Sequence, residues 1–232
     1  MDSGWLRKNS FDGGVTSSSS AWGQVTPLPF VGADEDLVEA LRKGHPGAAT
    51  AFYDRYVDVV DRILSRIVGA NDEERMPELI QQAILAAISG VGRLRDPARL
   101  QGWVAAASVN VARDHLRRRA RASLYTRLLG RQPLEAAPQE PRLRGGDAFA
   151  RAMQASYEIL DTLPVDERIV LALRIIDAMP LAEIAEVTRL SLGRLKRRLR
   201  RAETRFVTAA RGNAALRPWL EKGSRWSLPT LG

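Results

Sequence analysis

The sequence predicts an all-α protein of two small helical domains, a four-helix domain and then a helix-turn-helix domain, joined by a flexible linker. Three observations predict it. Apolar residues recur three and four apart along most of residues 34–207, and no stretch reads as a strand. Residues 123–146 break that pattern with three prolines and clustered glycine. Leu181–Phe206 divides into a short helix, a tight connection and a longer basic helix.

Taken in order, residues 1–33 are rich in serine and glycine, with Trp5, Phe11 and Trp22 scattered among them. They bury too little to offset the entropy of ordering, so a disordered tail is expected. Organised sequence begins with Asp34 as a helix cap, Leu37, Val38 and Leu41 facing inward, and Gly44 as the stop. A longer helix over about residues 46–68 carries Phe52, Tyr56, Val59, Val60, Ile63, Leu64 and Ile67 on one side. Its outer Asp54, Asp58 and Asp61 read as a solvated face, because nothing in the pattern buries them or shifts their titration. The third helix, residues 77–89, is apolar at Leu79, Ile80, Ala83, Ile84, Ala87 and Ile88. After the short basic loop 90–96, Asp96-Pro97 is a helix start, proline suiting the first turn and aspartate the helix dipole. The fourth helix has Leu100, Trp103, Val104, Ala107 and Val111 at helical spacing and ends in the cationic run 115–121.

Beyond the linker, helices are expected over residues 147–162 and 166–176, with Leu163-Pro164 as the turn between them. The helix-turn-helix completes this second domain. Ser191 is a good N-cap for its longer helix, since its hydroxyl can accept from an unpaired first-turn amide. Leu195, Leu199, Ala202 and Phe206 form one buried stripe. The opposite face carries Lys196, Arg197, Arg200 and Arg201, with Arg194 beside them and Arg198 and Arg205 on the flanks. Seven basic residues stand against the single acid Glu203 between Ser191 and Phe206. A merely soluble helix would mix signs to gain i,i+4 pairs, so this face points to nucleic acid in the major groove. Residues 208–232 form a tail with a short helix over 213–222, and Trp219 and Trp226 can fold back onto the second domain.

Composition bounds the function. A net charge of +8 and a pI near 10.5 favour a polyanionic partner, whether DNA, RNA or an anionic membrane face. No cysteine is present, which excludes a disulfide frame, a thiol nucleophile and a cysteine zinc site, and fits a reducing cytoplasm. No run is long and apolar enough to cross a bilayer, and the N-terminus lacks a signal-peptide core. The only histidines, His45 and His115, are far apart, and no HExxH, P-loop or GxSxG pattern occurs. No catalytic residue, cofactor or metal is therefore expected.

With these elements in place, the chain resembles the extracytoplasmic-function sigma factors, compact bacterial transcription-initiation factors, over about residues 34–207. In the first module the resemblance lies in DLVEALRKGHPGAATAFYDRY and in RLRDPARLQGWVAAASVNVARDHLRRR, with Trp103, Asn110, Asp114, Arg117 and Arg118 at the family's spacing. In the second it lies in Leu163, Pro164, Glu167 and Arg168, then Glu183, Ile184 and Ala185. The family's polymerase-binding helix is matched by ELIQQAILAAISG, with Gln82 in place of an acid; Arg189 stands where the family's turn has glycine.

The resemblance implies that residues 34–122, as sigma domain 2, bind core RNA polymerase and capture the unwound −10 promoter strand. Residues 147–207, as sigma domain 4, would read the −35 duplex. It implies polymerase contacts at Glu78, Gln81 and Gln82. It implies −10 contacts at Arg93, Arg95, Arg99, Asn110, Arg113, Arg117 and Arg118, and −35 contacts at Arg194, Lys196, Arg197, Arg198, Arg200 and Arg201. Expected partners are core RNA polymerase, promoter DNA and an acidic anti-sigma protein that masks the basic faces, in the cytoplasm and without membrane insertion. A stand-alone helix-turn-helix regulator that does not bind polymerase is the second reading.

Overall fold

The computed structural model describes residues 31–128 and 147–221, and all regular structure among them is helical. The first unit comprises α1 (Asp34–Arg42), α2 (Ala48–Val68), α3 (Met76–Ser89) and α4 (Leu100–Leu128). The second comprises α5 (Asp147–Thr162), α6 (Val165–Leu171), α7 (Leu181–Thr188), α8 (Leu192–Arg211) and α9 (Arg217–Glu221). The expected tail 1–30, most of the expected linker (129–146) and residues 222–232 lie outside the described residues.

The predicted stripes form the core. Leu37, Phe52, Ile63, Leu64, Ile67, Leu79 and Leu100 are almost fully enclosed where α1, α2, α3 and α4 meet, each burial stabilising by about 1.5–3 kcal/mol. Trp103 is half-buried and anchored, its indole N–H donating to the Ala87 carbonyl at 3.0 Å. A side chain at Gly90 would meet the Trp103 ring at 2.6 Å, so only glycine lets α3 end this close to α4.

Local details differ from the sequence expectation at several helix ends. Asp34 is not the cap. It sits in the first turn of α1, where its carboxylate accepts from Tyr56 at 2.6 Å and Arg55 at 2.8 Å, while Asp36 accepts from the Ala33 amide. The second helix starts at Ala48 rather than residue 46, because Gly47 adopts a left-handed φ of 87°. Asp96 does cap, accepting from the Ala98 amide at 3.1 Å, but it opens a 3-10 turn that precedes α4. α4 then runs unbroken to Leu128, past residue 122 where the linker was expected to begin. The helix expected over 166–176 is α6 plus a π turn at Ala172–Ile176, followed by Ala178 at φ 54°. In the C-terminal tail α9 is shorter than predicted. The expected return of Trp219 and Trp226 concerns side chains outside the described ones.

The two units pack against each other, with α4 lying between α2 and α3 on one side and α6 and α7 on the other. Arg168 of α6 is 2% exposed and donates to the last carbonyls of α2, at 2.8 Å to Ile67 and 2.6 Å to Val68. A helix C-terminus carries unpaired carbonyls and partial negative charge, so a buried guanidinium satisfies both needs at once. Beside it Tyr157 of α5 covers Gly69; a side chain there would lie 2.5 Å from the ring.

Candidate nucleic-acid interface

The helix-turn-helix is built as its residues suggest. α7 ends in Arg189 at φ 56° and ψ 37°, whose amide donates to the Glu186 carbonyl. A non-glycine residue in this left-handed conformation costs roughly 1–2 kcal/mol, and the turn keeps its shape at that expense. Ser191 Oγ accepts from the Arg194 amide at 3.4 Å, and Leu195, Leu199, Ala202 and Phe206 are buried.

On the opposite face Arg194, Lys196, Arg197, Arg200 and Arg201 are exposed. Arg194, Lys196 and Arg197 make no ion pair among the described residues. Arg198 turns aside: half-buried, it lies 3.8 Å from Asp166. Arg201 stays in solvent but lies 3.7 Å from Glu167, whose other oxygen is 3.1 Å from Arg205.

The residues assigned to the first module's strand-binding face fall into four groups. Arg93 and Arg95 are exposed on the loop before α4. Arg99 bridges Asp96 at 3.6 Å and Glu186 of α7 at 3.2 Å. Farther along α4, Arg113 donates to Asn110 at 2.6 Å and to Asp166 at 3.1 Å, and Arg117 reaches the second Asp166 oxygen at 3.3 Å. Arg118 faces elsewhere, lining a crevice of about 450 Å³ with Arg75, Glu78, Gln82 and His115.

On α3, Glu78 and Gln81 are exposed, and Gln82 donates to Glu78 at 2.9 Å. Leu85, 54% exposed, continues the same face at i+7. Sequence reasoning missed it, although its absence from the apolar stripe of α3 was a usable signal. Asp166 was missed too. A carboxylate in a helix's first turn reads as a dipole partner, and nothing local announces three arginines from two other helices.

A partly buried polar network joins the units. Asp72 receives His115 Nε2 at 3.0 Å and Arg119 at 2.6 Å; Arg119 also reaches Asp161 at 2.6 Å, which in turn pairs with Arg168. Burial pushes the Arg168 guanidinium down to about 10, with the nearby Arg119 charge adding to the effect, so it stays charged at neutral pH. Burial alone would raise Asp72, but the hydrogen bonds and charges of His115 and Arg119 together hold it below the usual carboxylate range. Asp72→Asn should therefore destabilise the chain at pH 7 by about 2 kcal/mol. A depressed carboxylate stabilises above its unfolded value near 3.9 and loses that contribution as pH falls through the folded one. The melting difference between wild type and variant should thus be present at pH 7 and close as pH falls below about 4. A difference that persists at lower pH would show that Asp72 acts by packing alone.

Among the described residues no group of three or more His, Asp or Glu side chains is arranged for a metal, and no helix is long and apolar enough to cross a membrane.

Comparison with known proteins bears on both modules. Residues 52–122 match the sigma-70 region 2 family model, and residues 154–206 match that of sigma-70 region 4, together more than half of the chain. An ECF RNA polymerase sigma-E factor of Haemophilus influenzae is 25% identical over 175 residues, covering 73% of this chain and 90% of the relative. The ECF RNA polymerase sigma-E factor of Escherichia coli K12 is 24% identical over 184 residues, with the same coverage. Among solved structures, CnrH in complex with the cytosolic domain of CnrY superposes with a TM-score of 0.50 at 20% identity, covering 79% of this chain and 100% of CnrH. At that identity the likeness speaks for the fold alone.

Proposed function

We propose how promoter recognition is divided within this chain, which belongs to the sigma-70 family of RNA polymerase sigma factors and, within it, to the extracytoplasmic-function group. A sigma factor is a non-catalytic initiation subunit that binds core RNA polymerase and promoter DNA. With region 2 present alongside region 4, the stand-alone regulator is not favoured.

Residues 147–207 take the −35 duplex, with α8 in the major groove and Arg194, Lys196, Arg197, Arg200 and Arg201 toward bases and phosphates. Residues 34–122 take the melted −10 strand on Arg93, Arg95, Arg99, Asn110, Arg113 and Arg117. A base read there must leave its stack, which costs a few kcal/mol that the arginine contacts offset. The exposed face of α3, Glu78, Gln81, Gln82 and Leu85, meets core polymerase, and Arg118 lies on that side. An acidic anti-sigma protein is a further partner, and the place of action is the cytoplasm, where polymerase works. The observation that carries this reading is the face of Arg194, Lys196 and Arg197, exposed and without an ion pair among the described residues, on the helix that follows the turn.

Run-off transcription with purified core polymerase on fragments of the source genome tests it. Discrete transcripts are expected that require the chain and vanish in the Arg194→Ala/Arg197→Ala double variant. Duplex binding without transcripts or co-migration with polymerase would return the chain to the stand-alone reading.

A further inference from the structure

The cations of α8 are not equally available to DNA. Arg198, Arg201 and Arg205 stand at i, i+3 and i+7, so they follow one another along the same side of the helix. Arg198 lies 3.8 Å from Asp166, whereas Arg201 and Arg205 lie 3.7 Å and 3.1 Å from the two oxygens of Glu167. Glu167 is 7% exposed, and its Oε2, the oxygen beside Arg205, accepts no hydrogen bond. Both of its arginines are more than half exposed. Nearer the N-terminus of α8, Arg194, Lys196 and Arg197 make no ion pair among the described residues.

An ion pair between exposed groups is weak, but this one has a buried member. A carboxylate taken out of water needs hydrogen bonds or opposite charge, and Oε2 of Glu167 has only the charge. An arginine that leaves it for a phosphate therefore strands a buried anion, whereas Arg194, Lys196 and Arg197 leave nothing behind. Phosphate contacts carry the sequence-blind part of DNA affinity, and base edges are read by the N-terminal part of a recognition helix. We propose that Glu167 is a positioning residue that holds Arg201 and Arg205 off the DNA backbone, and so limits sequence-blind binding by this chain. Arg201 then joins only a duplex whose base contacts with the first half of α8 offset the loss to Glu167. This rests on the placement of α8 in the major groove.

The consequence lies in the dependence on salt. Each phosphate neutralised by a cation releases counterions, so log K falls against log [salt] with a slope of about −0.9 per contact. With its two arginines held, the wild-type chain forgoes about two such contacts on an arbitrary duplex. Its sequence-blind binding is then weaker and less salt-sensitive than the charge of α8 alone implies. A merely structural role for Glu167 would alter the melting point and leave that slope alone.

Titration of a mixed-sequence duplex at several salt concentrations tests this with the full-length chain. Glu167→Gln keeps the shape of the side chain and removes its charge. It should bind that duplex ~10-fold more tightly at ~0.1 M salt, with a slope steeper by about one to two. The gain should disappear in E167Q/R201A/R205A. A gain that survives there would mean that the carboxylate repels DNA directly, and an unchanged slope in E167Q would mean that the arginines are not held; either overturns the proposal. Arg201→Ala in the otherwise wild-type chain is a second arm that does not depend on how E167Q folds, because Arg205 still faces Glu167. It should leave the slope for this duplex unchanged, and a slope reduced by about one would overturn the proposal. Arg194→Ala/Arg197→Ala separates the two kinds of failure. If it weakens duplex binding while E167Q does not differ from wild type, the proposal alone falls. If it has no effect, α8 is not in the groove, and the reading beneath the proposal falls with it.

Discussion

Arg168→Ala is expected to lower the thermal midpoint of the chain by about 10 °C. The side chain is almost fully enclosed and donates to two carbonyls at the end of α2 while pairing with Asp161. Truncation leaves Ile67 and Val68 without their partner in a buried place, each unmet group costing about 1–3 kcal/mol. Asp161 keeps Arg119, so the loss stays below that of a fully orphaned carboxylate. About 3 kcal/mol, at roughly 2–4 °C per kcal/mol for a protein of this size, gives the expected shift. Arg168→Met, which keeps much of the volume, should recover only a small part of it. The bonds cross between the units, so the variant should also loosen the packing of α6 against the end of α2. A melting point within about 2 °C of wild type would mean that water replaces the guanidinium at the end of α2.

The same residue marks where sequence reading stops. Arg168 was legible as a family landmark, but its role as the cap of a helix about a hundred positions away was not, because no local pattern encodes a long-range hydrogen bond. The elements that local physics decides were readable. The buried stripe Leu195, Leu199, Ala202 and Phe206, the Ser191 cap and the outward cations of α8 follow from helical periodicity and from one hydroxyl. Helix ends were less so: Asp34 looks like a cap until Tyr56 and Arg55 take its oxygens. Arg189 shows a third case. The turn needs a left-handed residue, glycine is the unstrained choice, and the surrounding helices hold an arginine there instead. The packing of the second unit on α4 had no sequence signal at all. Its polar contacts include Asp166 and Glu186, acids that look like ordinary helix-surface residues until their partners are in view.

The distinction among the arginines of α8 yields the other large effect. Arg197→Ala should weaken binding to −35 duplex by about 1–3 kcal/mol and relax preference at one position if the guanidinium reads a guanine edge. If it meets a phosphate, the loss should be uniform across sequences and the salt dependence should fall by about one charge. Arg194→Ala and Lys196→Ala are expected to behave as one or the other, since both side chains stand in solvent without an ion pair among the described residues. Arg198→Ala should differ in kind. Its guanidinium is half-buried beside Asp166, so its removal should leave duplex affinity within about threefold. It should instead loosen the contact between α6 and α8, read as a lower melting point. Duplex titrations at several salt concentrations, run alongside melts of all four variants, separate these outcomes. A pronounced affinity loss in Arg198→Ala with an unchanged melting point would mean that α8 meets DNA on the side that now faces α6, and that the second unit must rearrange before it binds.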